Sequence, residues 1–178
     1  MMKFFVSDTH FGHANVIKLC NRPFKTVEEM DEALIERWNK VVTKCDDVYL
    51  LGDFAFRASI PVEYYLDRLK GKKHLIVGNH DSFWTKKVDL SKYFVSVDNM
   101  TIVDTGKGKA TLCHYPLLEF DSKFMIHGHI HNKGKGLPYW EYLASTPNVL
   151  NAGVDINDFE PVLIDRLVLN NQKFKAID

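Results

Sequence analysis

The chain has 178 residues, with 23 basic and 23 acidic side chains and a formal net charge of zero. That length suits one domain, residues 1–178, burying roughly 70% of the surface its unfolded form exposes; the charge balance excludes a bulk field that would draw nucleic acid or a membrane. Cys20, Cys45 and Cys113 are odd in number and lack Cys-x-x-Cys spacing, and the opening MMKFFVSD is too short for a signal-peptide core, so a disulfide framework and a thiolate zinc site are excluded and a cytoplasmic protein without membrane contact is expected.

The first apolar run, Lys3 to Val6, reads as a buried strand and leads into Asp8-Thr9-His10-Phe11-Gly12-His13. Asp8 and His10 sit two apart, so on an extended chain their side chains leave on one side and can point at one object. Thr26-Val27-Glu28-Glu29 is a capping-box pattern, followed by an apolar stripe at Met30, Ala33, Leu34, Trp38, Val41 and Val42 that predicts an amphipathic helix. A second strand, Val48 to Leu51, runs into Gly52-Asp53. Pro61, Leu66, Leu69 and Gly71 mark a second helix, and a third strand, His74 to Val77, ends in Gly78-Asn79-His80-Asp81. This β-α-β-α-β order requires right-handed crossovers and a parallel sheet, which places ligands at the carboxyl ends of its strands.

Further on, Phe94 to Val97 and Met100 to Val103, separated by Asp98-Asn99, read as a hairpin. Ala110 to Cys113 leads into His114-Tyr115, Phe124 to His127 leads into Gly128-His129-Ile130-His131, and Asn148 to Leu150 is another strand. Few helices separate these strands, so a second sheet, mixed or antiparallel, is expected to pack on the first. The segment from Asn132 to Leu143, carrying Lys133 and Lys135, reads as a long loop with a short helical piece. Each polar motif alone is common in turns. Together, five strand ends deliver Asp, His or Asn to one rim, a nitrogen and oxygen donor set suited to divalent metal.

Asp8-x-His10, Gly52-Asp53, Gly78-Asn79-His80-Asp81, His114 and Gly128-His129-x-His131, in that order, resemble the calcineurin-like metallophosphoesterase family. The DTHFGH start resembles its small bacterial and phage-type members. The resemblance implies an α/β fold, a four-layer α/β/β/α sandwich without a cap domain. It implies two divalent ions, manganese first, with iron, zinc, nickel or cobalt as alternatives. Asp53 would bridge them, with Asp8, His10 and His131 at one ion and Asn79, His114 and His129 at the other. Metal-bound hydroxide would attack the ester while His80, oriented by Asp81, protonates the leaving oxygen as general acid.

His13, Arg57 and Tyr115 are candidate substrate contacts, each with packing or a surface ion pair as the alternative reading. Tyr115, with Phe11, Phe54 and Phe83, is a candidate aromatic wall. Cys113 alternates with His114 along its strand and faces away, while His74 and His127 read as structural. The stretch Phe54-Ala55-Phe56-Arg57 departs from family members that carry a second acid after Gly-Asp. The expected substrate is a small, nucleotide-sized phosphodiester. A metal-dependent nuclease ranks second, because neutral charge disfavours nucleic acid, and a non-catalytic interaction module ranks third, having no use for His80. The oligomeric state is left open by the sequence.

Overall fold

The computed structural model describes residues 1–176; residues 177 and 178 of the expected domain lie outside the described ones. Strands β1 (Lys3–Val6), β2 (Asp47–Leu50), β3 (Lys72–Ile76) and β4 (Phe94–Asp98) pair in parallel, and a two-residue strand, β9 (Val162–Leu163), runs antiparallel to β1 at the other edge. Between them lie α1 (Ala14–Leu19), α2 (Val27–Val41) and α3 (Val62–Arg68). The α2 start follows its sequence signal: Glu29 N donates to Thr26 Oγ1, and the Glu29 carboxylate accepts from Lys25 N. A second sheet holds β5 (Met100–Asp104), β6 (Lys109–Cys113), β7 (Phe124–His127) and β8 (Val149–Asn151), and is followed by α5 (Ile164–Lys175), with α4 (Trp140–Ser145) between β7 and β8. It is mixed: β6, β7 and β8 are parallel, and β5 is antiparallel to β6.

Alternation along the strands sets the layers. Phe4, Val6, Val48, Leu50 and Leu75 face Leu34 and Trp38 of α2 and Tyr65 and Leu66 of α3. Phe5, Tyr49, Leu51 and Ile76 point the other way, onto Leu112, Ile126 and Leu150 of the second sheet. That sheet's outer face puts Met125 and Val149 under Trp140 and Leu143 of α4 and Phe174 of α5. The result is the α/β/β/α sandwich, with no cap domain over its rim among the described residues. No helix among them is long and apolar enough to cross a membrane.

The expected hairpin does not form. Its strands belong to different sheets: β4 pairs parallel with β3, and β5 pairs antiparallel with β6. Asp98 is still paired with Ile76, so Asn99 alone connects the two strands and the chain steps from one sheet edge to the other.

Two sheets brought this close leave no room for side chains where their loops cross. A Cβ on Gly128 would clash with Ser7 Oγ and stand 2.6 Å from Asp8 Oδ2, whereas nothing lies within 4 Å of one on Gly136. Gly128→Ala is expected to lower the melting temperature by about 2–12 °C, the range for forcing an extra methyl into a packed site in a domain of this size. Gly136→Ala should move it by less than about 2 °C. Equal shifts in a thermal melt would show that the close approach at Gly128 contributes nothing.

Candidate metal centre

The parallel strands of both sheets end at one seam, and there the chain turns sharply. Asp8, His10, Asp53, His129 and His131 all adopt positive φ, between 52° and 70°. Asp and His enter this left-handed region more readily than most residues, yet such positions still cost about 1–3 kcal/mol each and persist only where surrounding contacts fix them. The turns aim the side chains inward.

Two clusters result. Asp8, His10 and His131 form one, and Asp53, His114 and His129 the other, with donor atoms inside each cluster within 4.8 Å of one another. Asp53 stands between them. Its Oδ2 lies 3.7 Å from His10 Nε2, 3.5 Å from His114 Nε2 and 3.9 Å from His80 Nε2, while its Oδ1 accepts from His80 N at 2.8 Å. Asn79 Oδ1 is 3.0 Å from both His114 Nε2 and His129 Nδ1. All seven residues expected as ligands therefore come together.

The donor chemistry fits divalent cations. His114 Nδ1 lies 2.8 Å from Leu51 O and His131 Nδ1 lies 2.8 Å from Asp155 Oδ2; such bonds hold the proton on Nδ1 and leave Nε2 to face the clusters with a lone pair. His10 Nε2 and His131 Nε2 approach to 3.3 Å, and the buried His10 Nδ1 has no hydrogen-bond partner. Burial works against a charged His131, but its hydrogen bonds to Asp155 and Cys20 and the charge on Asp8 outweigh it and push its pKa up to about 10. Burial, with His131 next to it, holds His10 well below the usual histidine range. A cation held at this cluster would take the place of the proton that His131 carries toward His10 and leave its Nε2 lone pair to ligate. Burial also raises the Asp8 carboxyl to about 6, with Asp53 adding to the rise against the pull of His131 and His114.

Other expected residues land differently. Asp81 does not orient the His80 ring: its buried carboxylate accepts from Asp53 N, Phe54 N, Gly78 N and Trp84 Nε1, and the short 3₁₀ turn from Asp81 to Phe83 points it inward. Phe11 and Phe54 are core residues, packed on each other at 5.0 Å, with Tyr65 stacked on Phe11 at 4.7 Å. They form no wall at the rim. Phe83 is exposed, and Tyr115 packs edge-on against His129 at 4.7 Å. Arg57 is exposed with its guanidinium 5.0 Å over the Phe56 ring, and the His13 ring lies 5.3 Å from that of His10. His74 stacks on Tyr49, and His127 is buried with Nδ1 on Gly128 O, both as expected of structural residues.

Three residues escaped the sequence reading. Phe56 packs 4.1 Å from the His80 ring. Asp155 holds His131, and buried Arg22 donates to Asp155 and to the carbonyls of Asp8 and Thr9. Asp155 had a signal, since Asn151-Ala152-Gly153-Val154-Asp155 follows another strand end; Arg22, in an aperiodic turn, had none.

Comparison with known proteins agrees with this geometry. The chain matches the family model described as calcineurin-like phosphoesterase over residues 4–164. Uncharacterized protein MJ1445 of Methanocaldococcus jannaschii is 34% identical over 180 residues, covering 98% of this chain and 93% of its own. Gene 66 protein of Mycobacterium phage L5 is 28% identical over 159 residues, 72% of this chain and 76% of its own. Among solved structures, the protein of unknown function AQ665 from Aquifex aeolicus aligns with a TM-score of 0.70 at 28% identity, over 90% of this chain and 94% of that one. Pseudomonas putida nuclease MPE aligns with a TM-score of 0.50 at 25% identity, over 72% of this chain and 60% of its own.

Asp81 supplies a test of the scaffold independent of chemistry. Asp81→Ala would strand four donors, each costing about 1–3 kcal/mol if left buried and unpaired. Urea unfolding followed by circular dichroism should show a loss of several kcal/mol. A loss under about 1 kcal/mol would mean that the four bonds do not hold the loops.

Proposed function

The chain belongs to the calcineurin-like phosphoesterase family, and from that premise we propose that it hydrolyses nucleotide-sized phosphodiesters at a pair of divalent cations. The observation that carries this reading is Asp53, whose Oδ2 faces nitrogen donors of both clusters at 3.5–3.7 Å. Asp8, His10 and His131 would hold one cation and Asn79, His114 and His129 the other, with Asp53 shared. Cations so held neutralise charge on the phosphate and make a nucleophile of water at neutral pH. Manganese is the first choice, and iron, zinc, nickel and cobalt suit the same donors. The family match over most of the chain supports treating it as one phosphoesterase domain.

The protein's own part in the reaction falls to His80. Its imidazole is about one-third exposed, with Nε2 3.9 Å from Asp53 Oδ2, so it faces both the clusters and the open rim. An imidazolium there can pass its proton to the oxygen of a departing alcohol. Two contacts fix it: its backbone N–H donates to Asp53 Oδ1, and the Phe56 ring lies against its imidazole. Diesters of ordinary alcohols depend most on such protonation, because their leaving groups are poor. A nuclease is the second reading, favoured by the likeness to Pseudomonas putida nuclease MPE; zero net charge weighs against a long polyanion.

Two measurements test the reading. Elemental analysis should find two divalent ions per chain in the native protein and neither in Asp53→Asn; retention of one full equivalent would show that Asp53 is not shared. His80→Ala should keep its metal and lose about 10²- to 10⁴-fold in turnover. That loss should shrink from phenyl to p-nitrophenyl leaving groups. An equal loss across the series would assign His80 to positioning and not to proton transfer.

A further inference from the structure

Two apolar clefts lie near the candidate metal centre, one joined to it through Phe56, which packs on His80, and the other through His129. The first, about 530 Å³, is walled by Phe56, Ile60, Phe83 and Trp84, and Phe56 is the residue that packs on His80 at 4.1 Å. The second, about 330 Å³, is lined by Tyr115, Leu118, His129, Tyr139, Tyr142 and Leu143, so one wall of it is the candidate ligand His129 itself. The first is built by the chain that follows β2 and β3 of the first sheet, the second by the chain that follows β6 and by α4 on the second sheet. The centre lies between them at the seam. Both clefts leave large apolar side chains open to solvent, with Phe83 55%, Tyr115 46% and Leu118 74% exposed.

We propose that the substrate is a short single-stranded oligonucleotide whose scissile phosphodiester spans the two clefts, the leaving nucleoside's base against Phe56 and Phe83 and the retained nucleoside's base against Tyr115 and Tyr139. This rests on the phosphodiesterase reading above. A phosphomonoester has one arm and fills one cleft; a diester has two and fills both. Aromatic walls on each side match flat rings, and every nucleobase has a face to stack. Charge distinguishes the two clefts. Arg57 and Lys87 border the first, with Glu63 as the one acid among its lining residues, which suits the next phosphate beyond the leaving nucleoside; the second cleft has no lysine, arginine or carboxylate in its lining. In the reaction, water supplies the oxygen that joins phosphorus, the bond to the leaving nucleoside's oxygen breaks, and that oxygen departs with the proton from His80. The products are a nucleoside hydroxyl and a nucleotide monoester. Bases paired and stacked in a duplex cannot enter the clefts.

The test compares kcat/KM of the manganese-loaded enzyme for the dinucleotides TpT and UpU, for the 3′- and 5′-methyl phosphodiesters of thymidine, and for bis(p-nitrophenyl) phosphate. At least one dinucleotide should exceed the methyl diesters by about 5- to 150-fold, the range for one stacked base, and the TpT to UpU ratio tells which sugar is accepted. Phe83→Ala should bring the dinucleotide toward parity with the ester whose leaving group is methanol, and Tyr139→Ala toward parity with the ester whose retained group is methyl. Because each is a ratio within one variant, a folding defect cancels. If bis(p-nitrophenyl) phosphate is hydrolysed and the dinucleotides are no better than the methyl esters, the clefts are not base subsites, while the phosphodiesterase reading stands. Both variants leaving the ratios unchanged, or a duplex being cut as fast as its single strand, would overturn the proposal in the same way. If no diester is hydrolysed by metal-loaded enzyme, the phosphodiesterase reading falls and the proposal with it.

Discussion

Buried carboxylates that accept hydrogen from neighbouring loops hold the rim of this molecule together. Asp8, at the end of β1, accepts from His129 N beyond β7. Asp53, beyond β2, accepts from His80 N beyond β3, and Asp81 returns the favour by accepting from Asp53 N and Phe54 N. A sharp turn at the end of a buried strand leaves N–H groups with no ladder partner, and each would cost stability if unpaired. Acids meet that need and so bring negative charge to the seam as a by-product of satisfying the backbone. The oxygen not used this way, Asp53 Oδ2, faces both histidine clusters.

The Arg22–Asp155 pair extends the same logic inward. Removing both charges from water is costly, and such pairs are a weak argument for stability. Their placement explains more than their energy does. Arg22 gathers the carbonyls of Asp8 and Thr9 as well as Asp155, and Asp155 in turn faces His131 Nδ1. The first sheet's leading loop and the second sheet's trailing loop are thereby tied through one guanidinium, close to where Ser7 and Gly153 form a parallel bridge. The His131 Nε2 ends up aimed at His10 because of its Nδ1 contact with Asp155, each residue four positions beyond the end of its strand.

The parallel half of the fold was legible because it rests on local signals, a capping box and Pro and Gly at helix ends; polar residues where apolar runs stop marked the rim, and the family resemblance singled out the seven converging side chains among them. What failed depended on partners far along the chain. Exposed Val95, Val97, Met100 and Ile102 alternate in the same way whether β4 and β5 pair with each other or each edges a separate sheet; period two says nothing about the partner. The α5 helix was missed because Asn170 and Asn171, bonded to Asn157 and Asn151, occupy buried positions that an apolar stripe would fill. Asp81 was misread since spacing cannot show which way a 3₁₀ turn rotates a carboxylate. Phe11 and Phe54 follow polar motifs yet point into the helix-side core, where Tyr65 joins them.

A chain of zero net charge has to recognise an anion locally. Of the seven candidate ligands, Asp8 and Asp53 alone are acids, so two dications would leave a local excess of roughly two positive charges, enough to anchor one phosphate whatever it is attached to. Discrimination among esters then falls to the groups around the phosphorus. Here one side chain has two jobs. The Phe56 ring lies 4.1 Å from His80, 4.9 Å from His13 and 5.2 Å from Phe83, so it forms the wall of a cleft and limits the rotation of the imidazole at once. In this arrangement the part of the substrate that would sit against Phe56 and the proton it would need on leaving are set by the same ring.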